Sequence, residues 1–380
     1  MKLQPIIAAL VVGAGLPALA QAQSADWPTS VTADNGVKTT VKGNFQYDGN
    51  WFTNDRLANG SHLFDDARGW RRTEVDVSIE KKDAFEIAAG YDFSAHAWTD
   101  TYFALETHAG KFQLGEFRTP VGWESATVSG AKTTFMEAAL PVSATYQGRR
   151  AGLGWTYAKI PHWTLQADWF AAHDLNHDGD GATIAARAVY APVATKTEVV
   201  HLGVAASRES RQDGTAQFNT PPEVHLTPVT LVDTGVLTGV DHINRIGLEG
   251  GWMQGPLLLQ GEYLHAHADR DAMPDYDNHG FYVSAAWMLT GESRSYDKTA
   301  FGDPDPTHGW GALELAVRYS NAHLNDSPVQ AGIEHDWTLG LNWYISKQFK
   351  LQANIIRAES DRGNLKVSPT VYGLRAQLAF

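Results

Sequence analysis

From about residue 37 onward the chain falls into segments of roughly ten residues in which every second side chain is apolar. Thr73-Glu74-Val75-Asp76-Val77-Ser78-Ile79-Glu80, Trp163-Thr164-Leu165-Gln166-Ala167-Asp168-Trp169 and Trp337-Thr338-Leu339-Gly340-Leu341-Asn342-Trp343-Tyr344-Ile345 show it best. A period of two puts Val, Leu and Trp on one face of a strand and Glu, Asp, Gln, Asn and Gly on the other. Sixteen such segments begin near residues 37, 69, 84, 98, 110, 149, 163, 182, 197, 245, 256, 281, 310, 337, 349 and 369. An even number of two-faced strands predicts an all-β fold, a transmembrane up-and-down antiparallel barrel. Closure matters because an open sheet edge in hydrocarbon leaves backbone groups unpaired, at several kcal/mol each. Sixteen strands enclose a lumen wide enough for water.

The connections give an independent rhythm. Those near 81–83, 107–109, 158–162, 191–196, 253–255 and 346–348 are short, whereas those near 48–68, 118–148, 207–244, 266–280 and 320–336 are long. Tight turns at one end and long loops at the other are what an outer-membrane barrel requires. The stretch from Thr290 to Gly309 breaks the rhythm, being long on the short side.

The first 22 residues carry Lys2, an apolar run from Ile6 to Ala20 and small residues around Ala18, Ala20 and Ala22. They predict an export signal cleaved after Ala20 or Ala22, leaving residues 23–380 as one domain. No later segment is apolar over the length a membrane helix needs, so any span is built of strands. The chain has no cysteine, and its 13 Trp, 13 Tyr and 15 Phe beside 35 Gly suit a barrel girdled by aromatic rings. A secreted sandwich or propeller could share that composition; the alternation decides against it. The last strand ends Tyr372-Gly373-Leu374-Arg375-Ala376-Gln377-Leu378-Ala379-Phe380, with a terminal aromatic typical of bacterial outer-membrane barrels.

Several segments in order resemble the family of phosphate-selective porins O and P. They are Gly43-Asn44-Phe45-Gln46, Gly69-Trp70-Arg71-Arg72, Leu114-Gly115-Glu116-Phe117-Arg118 with Gly122-Trp123-Glu124, Leu289-Thr290-Gly291-Glu292-Ser293-Arg294, Gly311-Ala312-Leu313-Glu314-Leu315 with Arg318-Tyr319, and Thr338-Leu339-Gly340-Leu341-Asn342-Trp343-Tyr344. The resemblance implies a homotrimer in the outer membrane, among lipid and lipopolysaccharide. It also implies a third extracellular loop, here about Thr119 to Gly148, folded inward to narrow the pore. Members that favour phosphate line the pore with arginines and carry a lysine on that loop. Here Arg71, Arg72 and Lys132 match, whereas Asn44 and Ala138 stand where arginines are expected.

Parity of the alternation directs Arg150, Arg187, Arg245, Arg318, Lys350 and Arg375 into the lumen, together with Glu74, Asp76, Glu86, Asp92, Asp168, Glu249, Glu262 and Glu314. The candidate pore and constriction residues are Arg71, Arg72, Arg118, Lys132, Arg150 and Arg187, although for any one of them a place in an ordinary polar wall is the plainer reading. The expected permeants are small hydrophilic solutes, anions such as phosphate with weak selectivity; a general or cation-leaning pore is the alternative. A net charge of −13 and the lack of a basic stripe argue against nucleic acid as a partner. Asp174, Asn176, Asp178 and Asp180 space oxygen ligands like the first half of a Ca²⁺ loop, but Ala185 stands where the closing Glu would be, and a polar hairpin tip is the plainer reading. No catalytic motif stands out among the fifteen histidines. A non-conducting adhesive barrel that presents the long 207–244 loop is the competing class.

Overall fold

The computed structural model describes residues 29–57, 59–176, 181–363 and 365–380. The expected export signal lies outside them. Sixteen antiparallel strands form the wall: β1 Val37–Thr53, β2 Ala67–Lys81, β3 Phe85–Asp92, β4 Thr101–Thr107, β5 Gly110–Arg118, β6 Arg149–Tyr157, β7 Trp163–Phe170, β8 Thr183–Ala194, β9 Glu198–Ser210, β10 Val240–Gln254, β11 Leu257–Arg270, β12 Tyr276–Met288, β13 Ala312–Asp326, β14 Val329–Tyr344, β15 Phe349–Arg362 and β16 Thr370–Ala379. Each pairs with the next, and β16 returns to β1 from Asn44 opposite Ala379 to Thr53 opposite Thr370, so the sheet closes. Closure gives the edge groups of the first and last strands partners within the wall.

The outer face is an apolar band of side chains such as Ile87, Leu114, Leu153, Leu202, Leu248, Leu315, Leu341 and Leu374, all exposed. Aromatic pairs edge it at both ends: Trp155 with Tyr157 near the end that carries the C-terminus, Tyr319 with Trp337 near the far end. The inner face is polar, as the alternation requires, and the charged residues assigned to the lumen by parity are buried inside or line its cavity.

Fifteen of the sixteen segments begin within a few residues of a wall strand or lie inside one. At the segment near 98, Ala97–Trp98 is a short separate piece and β4 starts at Thr101. Two expected loops are corrected. Residues 266–280 and 320–336 belong mostly to strands, joined by connections at 271–275 and 327–328. The register of β11 with β12 runs unbroken from Leu257 opposite Trp287 to Ala268 opposite Tyr276. What changes there is the sense of the pattern. Leu264, Ala266, Ala268, Tyr276, Ala322 and Leu324 face inward and are buried, while His265, His267 and Asp269 face out. Above the aromatic rim the outside is wetted, and the inside packs against an intruding loop, so the polarity reverses.

That loop, 211–239, does not project from the barrel. It forms two small ribbons, Thr215–Ala216 with Leu237–Thr238 and Asn219–Thr220 with Val232–Asp233. Phe218, Val232 and Leu237 bury against Tyr276, Ala266, Ala268 and Leu324, and Val224 and Leu231 bury against Phe52, Ile356 and Val371. The feature that supported an adhesive barrel is therefore packed inside the mouth. The long connection at the opposite end, 289–311, also turns inward through a ribbon of Arg294–Tyr296 with Phe301–Pro304.

Candidate functional site

The third far-end loop, 119–148, lies inside the barrel, with two short helices, α1 Trp123–Thr127 and α2 Leu140–Thr145. Its apolar side chains Trp123, Phe135, Leu140 and Val142 are at most 2% exposed. The wall makes room for them: a Cβ on Gly373 would lie 2.8 Å from the sulfur of Met136. Charge then fixes the loop. Arg71 donates to Glu137 through Nε and Nη2 at 2.7 and 2.9 Å, and Arg375 donates to the same carboxylate at 2.8 Å while holding Asp48 through two bonds of 2.7 Å. Arg318 donates to Glu124 at 3.1 Å and to the Glu137 carbonyl at 2.9 Å, and its guanidinium lies 4.3 Å from the Phe135 ring centre. Lys350 donates to the carbonyls of Ala131 and Thr133, and Gln377 to that of Ala131.

A β-bulge explains how two consecutive arginines both reach the lumen. Gln46 pairs with Arg72 and Tyr47 with Trp70, leaving Arg71 as the extra residue, so Trp70 points out while Arg71 and Arg72 point in. Arg72 lies against the loop at Gly130, where a Cβ would come within 2.8 Å of its Nε.

The end segment 289–311 meets the loop from the opposite side. Arg294 is bidentate to Glu314 at 2.8 and 2.6 Å and donates to the Gly302 carbonyl at 3.0 Å. Trp123 Nε1 donates to the Thr299 carbonyl at 2.8 Å, and the Trp123 ring stacks on His201 at 4.4 Å. Burial alone would raise the Glu292 carboxyl, but hydrogen bonds from Thr290 and Thr307 bring it down to about 2.

Beside these fillings a cavity of about 1360 Å³ runs from Lys196, Lys347 and Phe380 at the end carrying the C-terminus up to Asp100, Arg118 and Arg149 near the far ends of β4 to β6. Among the described residues eight lysines and arginines and seven aspartates and glutamates line it, so its formal charge is close to balanced. Most of these are paired: Arg149 with Asp100 at 2.8 Å, Arg294 with Glu314, and Lys350 with Asp303 at 3.5 Å. Lys132, exposed at the tip of the third loop, and Lys42 on β1 line the cavity and make no ion pair among the described residues. Among the described residues, Glu74 and Asp76 on β2 meet only the neutral donors Asn44 and Thr99.

The sequence-based candidates divide accordingly. Lys132 and Arg118 border the cavity, although Arg118 also donates to the carbonyls of Ser125 and Val128 at the base of the loop. Arg71 and Arg72 lie at the loop's attachment. Two candidates are corrected. Arg150 is 1% exposed and donates to the carbonyls of Ala171 and Gly181 beside Asp174, and Arg187 is held by Glu249 at 2.8 and 2.6 Å, so neither borders the passage. Lys42 and Arg294 were missed. Lys42 follows from the parity of Asn44 and Gln46, whereas nothing local announces that the segment of Arg294 folds inward.

For the Ca²⁺ spacing, Asp174 faces Arg150 at 3.2 Å, and Asn176 is bonded through both side-chain polar atoms to Trp98 and Glu116. Both described members thus already have protein partners. Asp178 and Asp180 lie outside the described residues.

A closed sixteen-stranded barrel with an apolar outer band, aromatic rims and a polar passage beside an inward loop is a porin of the Gram-negative outer membrane. The end bearing the short turns is periplasmic and the far end extracellular. The sequence profile of the phosphate-selective porin O and P family matches residues 39–380, and the chain belongs to that family. It is 26% identical to porin O of Pseudomonas aeruginosa over 87% of this chain and 85% of that one. Among solved structures it resembles OmpT of Vibrio cholerae (TM-score 0.61, 12% identity, 92% of this chain and 99% of that one) and an anion-selective porin from Comamonas acidovorans (TM-score 0.59, 14% identity, 90% and 100%).

Proposed function

We propose that the channel passes small hydrophilic solutes with a weak preference for anions, and that inorganic phosphate binds in it less tightly than in fully arginine-lined members of the family. The observation that carries this reading is the state of the lumen's positive charge. Arg71, Arg187, Arg294, Arg318 and Arg375 are each bonded to a carboxylate, which leaves Lys42, Arg118, Lys132 and Lys196, among the described residues on the passage wall, as the cations without an ion pair. These few cations, sharing the passage with Glu74 and Asp76, make a shallow well for an anion. A cation-leaning pore is the second reading, favoured by those two carboxylates. The expected assembly is a homotrimer, in keeping with the family and with a trimeric form of the OmpT neighbour.

Phosphate titrated into a chloride-conducting single channel tests the binding claim. Wild type is expected to be blocked only at high phosphate, and Asn44→Arg, which restores a family arginine beside Glu74, to be blocked at lower concentration. Tight block of wild type, or no effect of the arginine, would refute it. Conductance steps in groups of three report the trimer.

A further inference from the structure

The polarity reversal above the extracellular aromatic rim leaves an outward band of imidazoles and carboxylates. Tyr263 and Phe281 face each other across β11 and β12, and two residues further out His265 lies opposite His279, then His267 opposite Asp277. His279 in turn lies opposite His323 on β13, their rings stacked at 4.8 Å. Within this band His267, Asp269 and Asp275 bring one ligand atom each to within 4.8 Å of one another.

Each of the three is already oriented. The Nδ1 of His267 lies 2.9 Å from Asp277 Oδ1, which fixes the ring and leaves Nε2 as the free ligand atom. Nε2 is 3.4 Å from Asp269 Oδ1. The other Asp269 oxygen accepts from Asn244 Nδ2 at 2.9 Å, and Asp275 Oδ1 accepts from the Arg270 backbone N–H at 2.9 Å, leaving its Oδ2 available. Asp277 is itself steadied by His265 Nε2 at 3.0 Å. A carboxylate behind a metal-binding imidazole, and a donor behind each ligating carboxylate, are the outer contacts that set ligand direction and basicity in metal sites.

We propose that His267, Asp269 and Asp275 form a binding site for a borderline divalent cation of the Zn²⁺ class on the extracellular rim, with Asp277 orienting His267. An imidazole suits Zn²⁺ better than the hard cations Ca²⁺ and Mg²⁺, which favour all-oxygen shells. Three protein ligands leave a coordination position open, as in accessible rather than closed zinc sites. Drawing the ligand atoms in to about 2.0–2.2 Å from a common centre asks for small side-chain movements on the strand end and the adjoining connection. The site also adjoins the mouth: the Asp271 N–H donates to the Gly239 carbonyl at 2.6 Å, joining the 271–275 connection to the exit of the 211–239 loop.

The alternative is a protonated His267 bridging Asp277 and Asp269 without metal, and Asp275 separates the two. The test is isothermal titration of ZnCl₂ into chelator-treated, detergent-solubilised full-length protein, with MgCl₂ in excess throughout. One equivalent per chain is expected, lost in His267→Ala and weakened at least tenfold in Asp275→Asn. His279→Ala, outside the triad, is expected to keep the stoichiometry and affinity of wild type, which separates the site from general imidazole binding. The heat-modifiable gel shift of each variant checks that the barrel is folded. No saturable Zn²⁺ binding by wild type, unchanged binding in folded Asp275→Asn, or equal loss in folded His279→Ala would overturn the proposal.

Discussion

Glu137 ties the inward loop to two distant strands, since Arg71 on β2 and Arg375 on β16 both donate to it. Burial alone would raise its carboxyl, but the charges of Arg71, Arg375 and Arg72 hold it well below the usual carboxylate range. A lowered folded value means that its contribution to stability is complete above an ordinary glutamate pKa of about 4.3 and is lost only as pH falls through the folded value. Glu137→Gln is expected to cost about 3 kcal/mol, since it leaves two guanidiniums facing an amide. Thermal unfolding of wild type and variant across pH checks this: the gap between them should persist at pH 4 and close only in stronger acid. A gap that closes near pH 5 would show that the carboxylate is not held by these arginines. The same variant frees positive charge beside the passage, and its reversal potential should move toward anions.

Among the elements, the loop 211–239 behaves as part of the barrel's filling. Leu231 is fully buried against the inner wall, and Leu231→Ala is expected to cost the loop about 3 kcal/mol of packing. Glu223 holds the loop more directly, accepting from Ser320 and Thr338 and pairing with Arg318 at 2.7 Å. Glu223→Ala should increase single-channel conductance and expose the loop to external protease; unchanged conductance and protection would place the loop outside the conducting path.

The sixteen strands were legible because a wall between lipid and water imposes alternation on every strand crossing it. The ends of β11 to β14 were not, because above the rim the apolar side turns inward and a search for outward apolar residues stops at Tyr263 or begins at Trp337. The inward course of 211–239 and 289–311 was equally hidden. Long-range contacts such as Leu231 with the inner face of β15, or Arg294 with Glu314, decide it, and no local period records them. The resemblance points Arg71 into the pore, whereas simple alternation from Arg72 would turn it outward; the bulge opposite Gln46 and Tyr47 decides its orientation.

For the whole molecule the decisive quantity is the field along the passage. Screening over about 8 Å at physiological salt makes the nearest unpaired charges count most, and among the described residues these are Lys42, Arg118, Lys132 and Lys196 against Glu74 and Asp76. Net charge of the chain, at −13, is a poor guide, because most lumenal arginines are cancelled where they stand. The most direct test is the zero-current potential of the purified channel across a KCl gradient, for wild type and for Lys132→Glu. A small potential of the anion-selective sign is expected for wild type and one of the cation-selective sign for the variant. A cation-selective wild type, or a variant whose potential does not move, would contradict that expectation.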